Sequence, residues 1–208
     1  MRENNLFYNE GRLGDFLDER KIKIKEEIFN FDKERILNEN PEDLEKHFGN
    51  KYTLHSPVLR KDEKYLLEPK EIDIDVSRDQ NRITFNRSEP FYIKGTLITV
   101  VVPFNGDADL FNYRPPTYSL SIPQGIIYRN ELHLEYRLTE YNPESLENEI
   151  TRDIQQIESH LNWAKNAIDN FNTSLKDFIN NLIEERKKKI IESKEFINKL
   201  KIPIKKGE

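Results

Sequence analysis

No cysteine occurs in the 208 residues, tryptophan and methionine occur once each, and there are seven glycines. The first absence removes disulfides, thiolate-held zinc and cysteine nucleophiles together, and it fits a reducing compartment. The scarcity of glycine leaves no Gly-rich phosphate loop and no nucleophile elbow. No apolar run approaches the roughly 20 residues that span a bilayer, and "MRENNLFYNEGRLGDFLDER" at the N-terminus holds no signal-length apolar core. A cytoplasmic protein with no membrane span is the expectation. The formal net charge of -5 also argues against a surface built to coat nucleic acid, since phosphate binding needs clustered Lys and Arg.

Charge itself is abundant: 34% of residues are charged against 36% hydrophobic, a balance that favours extended, solvated elements over a thick interior. From Asp15 to about Asn38, Phe16, Leu17, Ile24, Ile28, Phe31 and Leu37 recur at steps of three and four, which predicts one amphipathic helix. "PEDLEKHFG" predicts a short helix opened by Pro41 and stopped near Gly49. The period then changes. "EIDIDV" alternates, with Ile72, Ile74 and Val76 on one face and Glu71, Asp73 and Asp75 on the other. "RITF", "FYIKGTLITVVVPF" and "TYSLSI" continue as strands, and "GIIYRNELHLEYRL" reads as a hairpin turning at Arg129-Asn130, with Asn130 able to adopt the left-handed conformation.

After Asn142 the helical period returns. Pro143 opens a helix carrying Leu146, Ile150, Ile154, Ile157, Leu161, Ala164 and Ile168, and a second helix carries Leu175, Phe178, Ile179, Leu182, Ile183, Ile190, Phe196 and Leu200. The polar "NTS" at Asn172 to Ser174 is expected to join them as an antiparallel hairpin. The predicted class is therefore α+β: an antiparallel β-sandwich-like sheet preceded by an amphipathic helix and followed by a long antiparallel helical hairpin. The predicted segments are 1–57, 58–141 and 142–208, with 58–208 forming one structural unit.

Candidate sites are few. Asp62, Glu68 and Lys70 have the outline of a Mg²⁺-dependent nuclease, but Pro69 lies between the would-be ligands and so charged a chain meets that spacing by chance. The acids of "EIDIDV" read as an edge strand's guard against aggregation, and His47, His55, His133 and His160 show no pair at metal spacing. No catalytic, cofactor or metal residue is assigned. Leu161, Trp163, Ile168, Phe171, Phe178 and Leu182 are the candidate interaction stripe of the hairpin, for self-association or for docking a protein effector. Their packing between the two helices is the competing use. Arg186, Lys187, Lys188 and Lys189, with Lys194, Lys199, Lys201, Lys205 and Lys206 beyond, are candidate phosphate contacts for nucleic acid. In "VVPFNGDADLFNYRPPTYSL", Gly106, Asp107, Phe111, Tyr113 and Pro115 read as a structural corner: Asp107 or Asp109 caps a short turn, and Leu110, Phe111 and Tyr113 fold beneath it.

The block "VPFNGDADLFNYRPPTYSLSIPQG", the following "ELHLEY", and the later "WAKNAIDNFNTSLKDFINNLIEERKKKI" closing on "LKIPIKK" resemble the N-terminal region of a group of largely uncharacterised bacterial proteins. In that group such a module commonly precedes a restriction-endonuclease-like domain of the Mrr type. The resemblance covers roughly residues 70 to 206. It implies a setting of bacterial defence against phage or foreign DNA, with this module as the sensor or assembly half. It places the Glu-Cys-Lys nuclease motif of the relatives beyond the last residue here, and this chain has no cysteine with which to form one.

Overall fold

The computed structural model describes residues 5–77, 79, 89–117, 119 and 121–200. In chain order the elements are β1 (Gly11–Arg12), α1 (Leu13–Asn30), α2 (Lys33–Asn38), α3 (Pro41–Tyr52), β2 (Val58–Leu59), β3 (Tyr65–Leu66), β4 (Lys70–Asp75), β5 (Tyr92–Asn105), β6 (Tyr113–Arg114), β7 (Ile126–Tyr128), β8 (Glu131–Leu138) and α4 (Pro143–Lys199). Short 3-10 turns lie at Lys61–Glu63 and Ala108–Asn112. The protein is α+β. Two compact units divide it, one of Met1–Leu13 with His55–Asn166, the other of Gly14–Leu54 with Ala167–Glu208. These cuts fall away from the expected ones after residues 57 and 141, because α4 gives its first part to one core and the remainder to the other.

The first unit is organised by β5, whose 14 residues are rich in the β-branched and aromatic side chains that suit a pleated surface. On one flank it pairs antiparallel with β4 (Ile74↔Ile93), β3 (Tyr65↔Val101) and β2 (Leu59↔Phe104). On the other it pairs with β8 (Val100↔Leu134), which in turn pairs with β7. Alternation sends Val100, Val102 and Phe104 of β5 and Leu132, Leu134 and Tyr136 of β8 to one face, where they are buried with Ile154, Ile157 and Leu161 of α4. Tyr136 also donates its hydroxyl to Asp153 Oδ2 at 3.2 Å. The expected sandwich is corrected here: among the described residues a helix, the 3-10 turn and the N-terminal strap cover the sheet, not a second sheet. A helix presents an apolar stripe wide enough to close one sheet face, so no second sheet is required.

The second unit is helical. Asp32 ends the long predicted helix early: its side chain accepts from Arg35 N at 2.9 Å and caps α2, giving two helices in place of one. Asn40 caps α3 in the same manner, and α3 runs past Gly49 to Tyr52, with Thr53 closing it through N–H to the Gly49 carbonyl at 2.8 Å. Buried residues of this unit include Ile24, Ile28, Ile36, Leu44, Phe48, Ile168, Phe171, Leu175, Ile179, Leu182 and Ile183. Arg35 pairs with Glu39 one turn on, Lys176 meets Glu45 at 3.1 Å and Lys194 meets Glu34 at 3.3 Å.

The expected hairpin is also corrected. Asn172, Thr173 and Ser174 lie inside α4, and the hydroxyls of Thr173 and Ser174 turn back onto the Asp169 and Phe171 carbonyls. Asn172, predicted to turn the chain, instead clamps the segment after α3, accepting from Leu54 N at 3.0 Å and donating to Leu54 O at 2.7 Å. Polar composition predicted a turn there; pairing with Leu54 made those residues compatible with a helix. Other differences are local. Arg129, not Asn130, takes the positive φ (56°) at the β7–β8 turn, and the described residues of "TYSLSI" form no strand. The strand expected at "RITF", Tyr118 and Leu120 of "TYSLSI", and Lys201, Lys205 and Lys206 fall outside the described residues. Among the described residues no helix is long and apolar enough to cross a membrane.

Helix continuity is testable at the disputed turn. Thr173→Pro removes an interior hydrogen bond and is expected to destabilise by about 3 kcal/mol, whereas a hairpin turn would accept it almost freely. Urea unfolding followed by circular dichroism distinguishes the two.

Candidate functional site

The corner at Gly106 is built as expected in outline and differently in detail. Gly106 has φ +108°, and a Cβ there would stand 2.7 Å from the Ser56 carbonyl and 2.8 Å from that of His55, so a side chain is excluded by both strain and space. Asp107 does not cap the 3-10 turn with its side chain; its Oδ2 accepts from His55 N at 2.8 Å while its own N–H donates to His55 O at 2.8 Å. Two strands of backbone are thereby locked together. Leu110, Phe111 and Pro115 are buried, Tyr113 is half-buried, and Phe111 packs against Phe104 (ring centroids 4.9 Å) and Phe7 (5.6 Å).

The interaction stripe is placed less favourably. Leu161, Ile168, Phe171 and Leu182 are buried within the chain, and Trp163 and Phe178 are half-buried. Leu161 belongs to the sheet-helix core of the first unit. These residues close the protein's own cores, so the expectation that they offer a free docking surface is corrected.

The basic run is neutralised at home. Lys189 pairs with Glu185 at 2.7 Å, which holds that carboxyl below its usual range chiefly through the hydrogen bond. Lys187 lies 3.8 Å from Glu184 and Lys188 3.9 Å from Glu192. Arg186, half-buried, and Lys189, itself exposed, lie over the Phe29 ring at 5.9 and 4.7 Å, one helical turn apart from each other, while Lys188 is exposed beside them.

Asp62, Glu68 and Lys70 are all exposed, and no hydrogen bond or ion pair joins them. The β4 acids have structural partners: Lys94 bridges Asp73 at 2.9 Å and Glu71 at 3.5 Å, and Asp75 Oδ1 accepts from Ser77 N and Phe91 N. Among the described residues no cluster of His, Asp and Glu is arranged to hold a metal.

Sequence reading missed two features of the first unit. The strap 5–10 follows a route that no periodicity announces: Leu6 N donates to Pro123 O at 2.9 Å, Phe7 N to Phe111 O at 2.5 Å, and Asn9 N to Asn112 O at 3.1 Å. Phe7 is fully buried at φ +67°, a conformation a bulky residue holds only when its surroundings enforce it. Where the strap leaves Gln124, an open groove of about 1020 Å³ lies between it, the 3-10 turn and β7, with Tyr8, Glu10, Asp109, Asn112, Ile127 and Arg129 among its walls.

The second missed feature is His160, fully buried and stacked on Phe7 at 5.1 Å, with Trp163 at 4.8 Å on its own helix. Its Nδ1 lies 2.9 Å from the Gln156 carbonyl, which only accepts, so the proton sits on Nδ1; Nε2 is buried without a partner. Burial holds the imidazole below its ordinary value, against a smaller upward pull from that carbonyl. No charged side chain among the described residues acts on it.

No family model matches the sequence, and neither a curated protein nor a solved structure is significantly similar to it.

Two measurements probe this region. Gly106→Ala is expected to cost about 1 to 3 kcal/mol from backbone strain, read as a lowered urea midpoint. For His160 the folded-state pKa lies below the unfolded value of 6.5, so the unfolded chain binds the extra proton between them. Its stability contribution is complete above pH 6.5 and is lost as pH falls through the folded value. The wild-type midpoint should therefore fall more steeply than that of His160→Phe as pH drops below 6.5; identical slopes would refute the assignment.

Proposed function

We propose that the chain is a non-catalytic assembly module that self-associates through the last turns of α4 and, so assembled, regulates or docks an effector such as a nuclease in a bacterial anti-phage system. The carrying observation is an apolar stripe that outruns its cover. Leu175, Ile179, Leu182, Ile183 and Ile190 are buried, yet Phe196, Ile197 and Leu200 are 64%, 40% and 48% exposed. Ile183, Ile190 and Ile197 stand at seven-residue steps, so the exposed residues continue the face that is covered upstream.

Solvent contact with that stripe is unfavourable by roughly 25 cal/mol for each Å² of apolar surface, which a covering partner relieves. The flanking charges have both signs, with Glu192 and Glu195 preceding Lys199. Antiparallel pairing of two copies about Glu195 and Phe196 sets Glu192 opposite Lys199, which makes a second copy a self-complementary cover. The resemblance over roughly residues 70 to 206 supplies the effector class and the defence setting. The basic run, already held by Glu184, Glu185 and Glu192, adds no support for nucleic-acid binding.

Light scattering across a wide concentration range tests the reading. The wild-type mass should double at high concentration, and a Phe196→Asp, Leu200→Asp variant should stay monomeric with an unchanged melting curve. A wild-type chain that remains monomeric throughout discards the proposal.

A further inference from the structure

We propose that His160 is a proton-operated latch on the N-terminal strap: when the buried imidazole becomes imidazolium, Phe7 leaves the interior and residues 7–10 detach, while the sheet and α4 stay folded. The device lies in the first unit and is independent of the α4 stripe. His160 is fully buried, its ring lies on that of Phe7 at 5.1 Å and 17°, and Trp163 packs on it at 4.8 Å. Nδ1–H donates to the Gln156 carbonyl at 2.9 Å, and Nε2 meets no partner. A second proton would set on Nε2 a donor with no acceptor, and in the interior a charge with no counter-ion. Both are costly away from water, and neither aromatic ring accepts a hydrogen bond of comparable strength.

Among the described residues no neighbouring group supplies the missing counter-charge. Glu158 of α4 pairs with Lys61 at 3.0 Å, and Asp153 accepts from Tyr136. At the 3-10 turn, Asp107 accepts from His55 N and Asp109 is exposed. On the strap, Glu10 is exposed and the Tyr8 hydroxyl donates to Ser119 O at 3.1 Å, with Arg114 of β6 over the Tyr8 ring. Burial is the largest influence on the imidazole, and it disfavours the charged form.

Of the elements around the ring, the strap is the one that yields. Gln156 and Trp163 belong to the same helix as His160, and that helix is fixed by Ile154, Ile157 and Leu161 in the sheet-helix core. Phe7 sits in the left-handed region at φ 67°, a strained conformation for a bulky residue, and departure relieves it. Residues 7–10 are tied to the 3-10 turn by the main-chain bonds from Phe7 N to Phe111 O and from Asn9 N and Glu10 N to Asn112 O. Each end of the segment has its own anchor, Leu6 N on Pro123 O before it and the pairing of β1 with β6 after it. The segment can therefore lift as a short loop, an opening with few bonds to break that lies below global unfolding in free energy. Its departure admits water to Nε2 and uncovers the Phe111 ring, against which Phe7 packs at 5.6 Å.

Amide hydrogen exchange of the full chain, followed by NMR on both sides of pH 6.5 and expressed as protection factors, reads the latch directly. Protection of the Phe7, Asn9 and Glu10 amides is expected to fall by up to about tenfold for each pH unit below 6.5, because opening takes up one proton. Dilute urea should barely change that protection, since a local opening exposes little surface, whereas the innermost amides of β5 and β8 should follow global unfolding. His160→Phe should make the strap's protection independent of pH over the same range. Phe7→Ala, which removes the lid, should move the His160 titration, followed by its ring protons, up toward 6.5. The proposal is overturned by strap protection that ignores pH, by strap amides that share the urea dependence of the β5 and β8 amides, or by an unmoved His160 titration in Phe7→Ala. Should His160→Phe fail to fold, the urea comparison on the wild-type chain decides. Failure of the latch leaves the mass doubling through α4 untouched, so the two proposals fail separately.

Discussion

Burial of one sheet face beneath one helix is the constraint on which the first unit depends. Val100, Val102 and Phe104 of β5 and Leu132, Leu134 and Tyr136 of β8 are removed from water by Ile154, Ile157 and Leu161 of α4. Each such side chain contributes on the order of 1.5 to 3 kcal/mol when fully buried, so no surface ion pair competes with this seam as a source of stability. The remainder is arranged around it. Phe7 and Phe111 fill the rim, His160 is carried into the interior on the turn after Ile157, and the reciprocal bonds of Asp107 with His55 fix the return of the chain beside Gly106.

That arrangement explains why the groove exists where it does. The strap is drawn inward at Phe7 by an aromatic contact on each side, with Phe111 and with His160, and its next residues bond to the 3-10 turn at Asn112. Glu10 and Asp109 stand exposed in the groove wall and make no ion pair among the described residues. A similar surplus marks α4, where the apolar stripe outlasts the helices that cover it.

Several elements were legible because local pattern and tertiary demand agree. Strict alternation in "EIDIDV" put Ile72 and Ile74 on the half-buried face and Glu71 and Asp73 on the exposed one, and Pro143 opens α4 as a first-turn proline should. The hairpin at residues 126–138 follows from two apolar runs across a two-residue turn. Where local pattern and tertiary contact disagree, contact prevails. Asn172 to Ser174 carry turn chemistry but stay helical because Leu54 satisfies Asn172 and the hydroxyls bond backward along the helix. Asp32 lies within an uninterrupted apolar period and still caps α2, since its carboxylate meets an unpaired N–H.

Sequence by itself determined the α+β class, the antiparallel pairing around a long β-branched strand, the residues of the Gly106 corner and the lack of thiol chemistry. Those follow from periodicities of two and 3.6 residues and from composition, which are properties of neighbours along the chain. Tertiary structure alone decided that a helix covers the sheet, that α4 passes straight through its polar triplet, that His160 is buried beside Phe7, and that Glu10 and Asp109 share a groove with β7. Each of those pairs residues far apart in sequence, and partner choice over such separations is set by which surfaces fit and exclude water together, a property no local window contains.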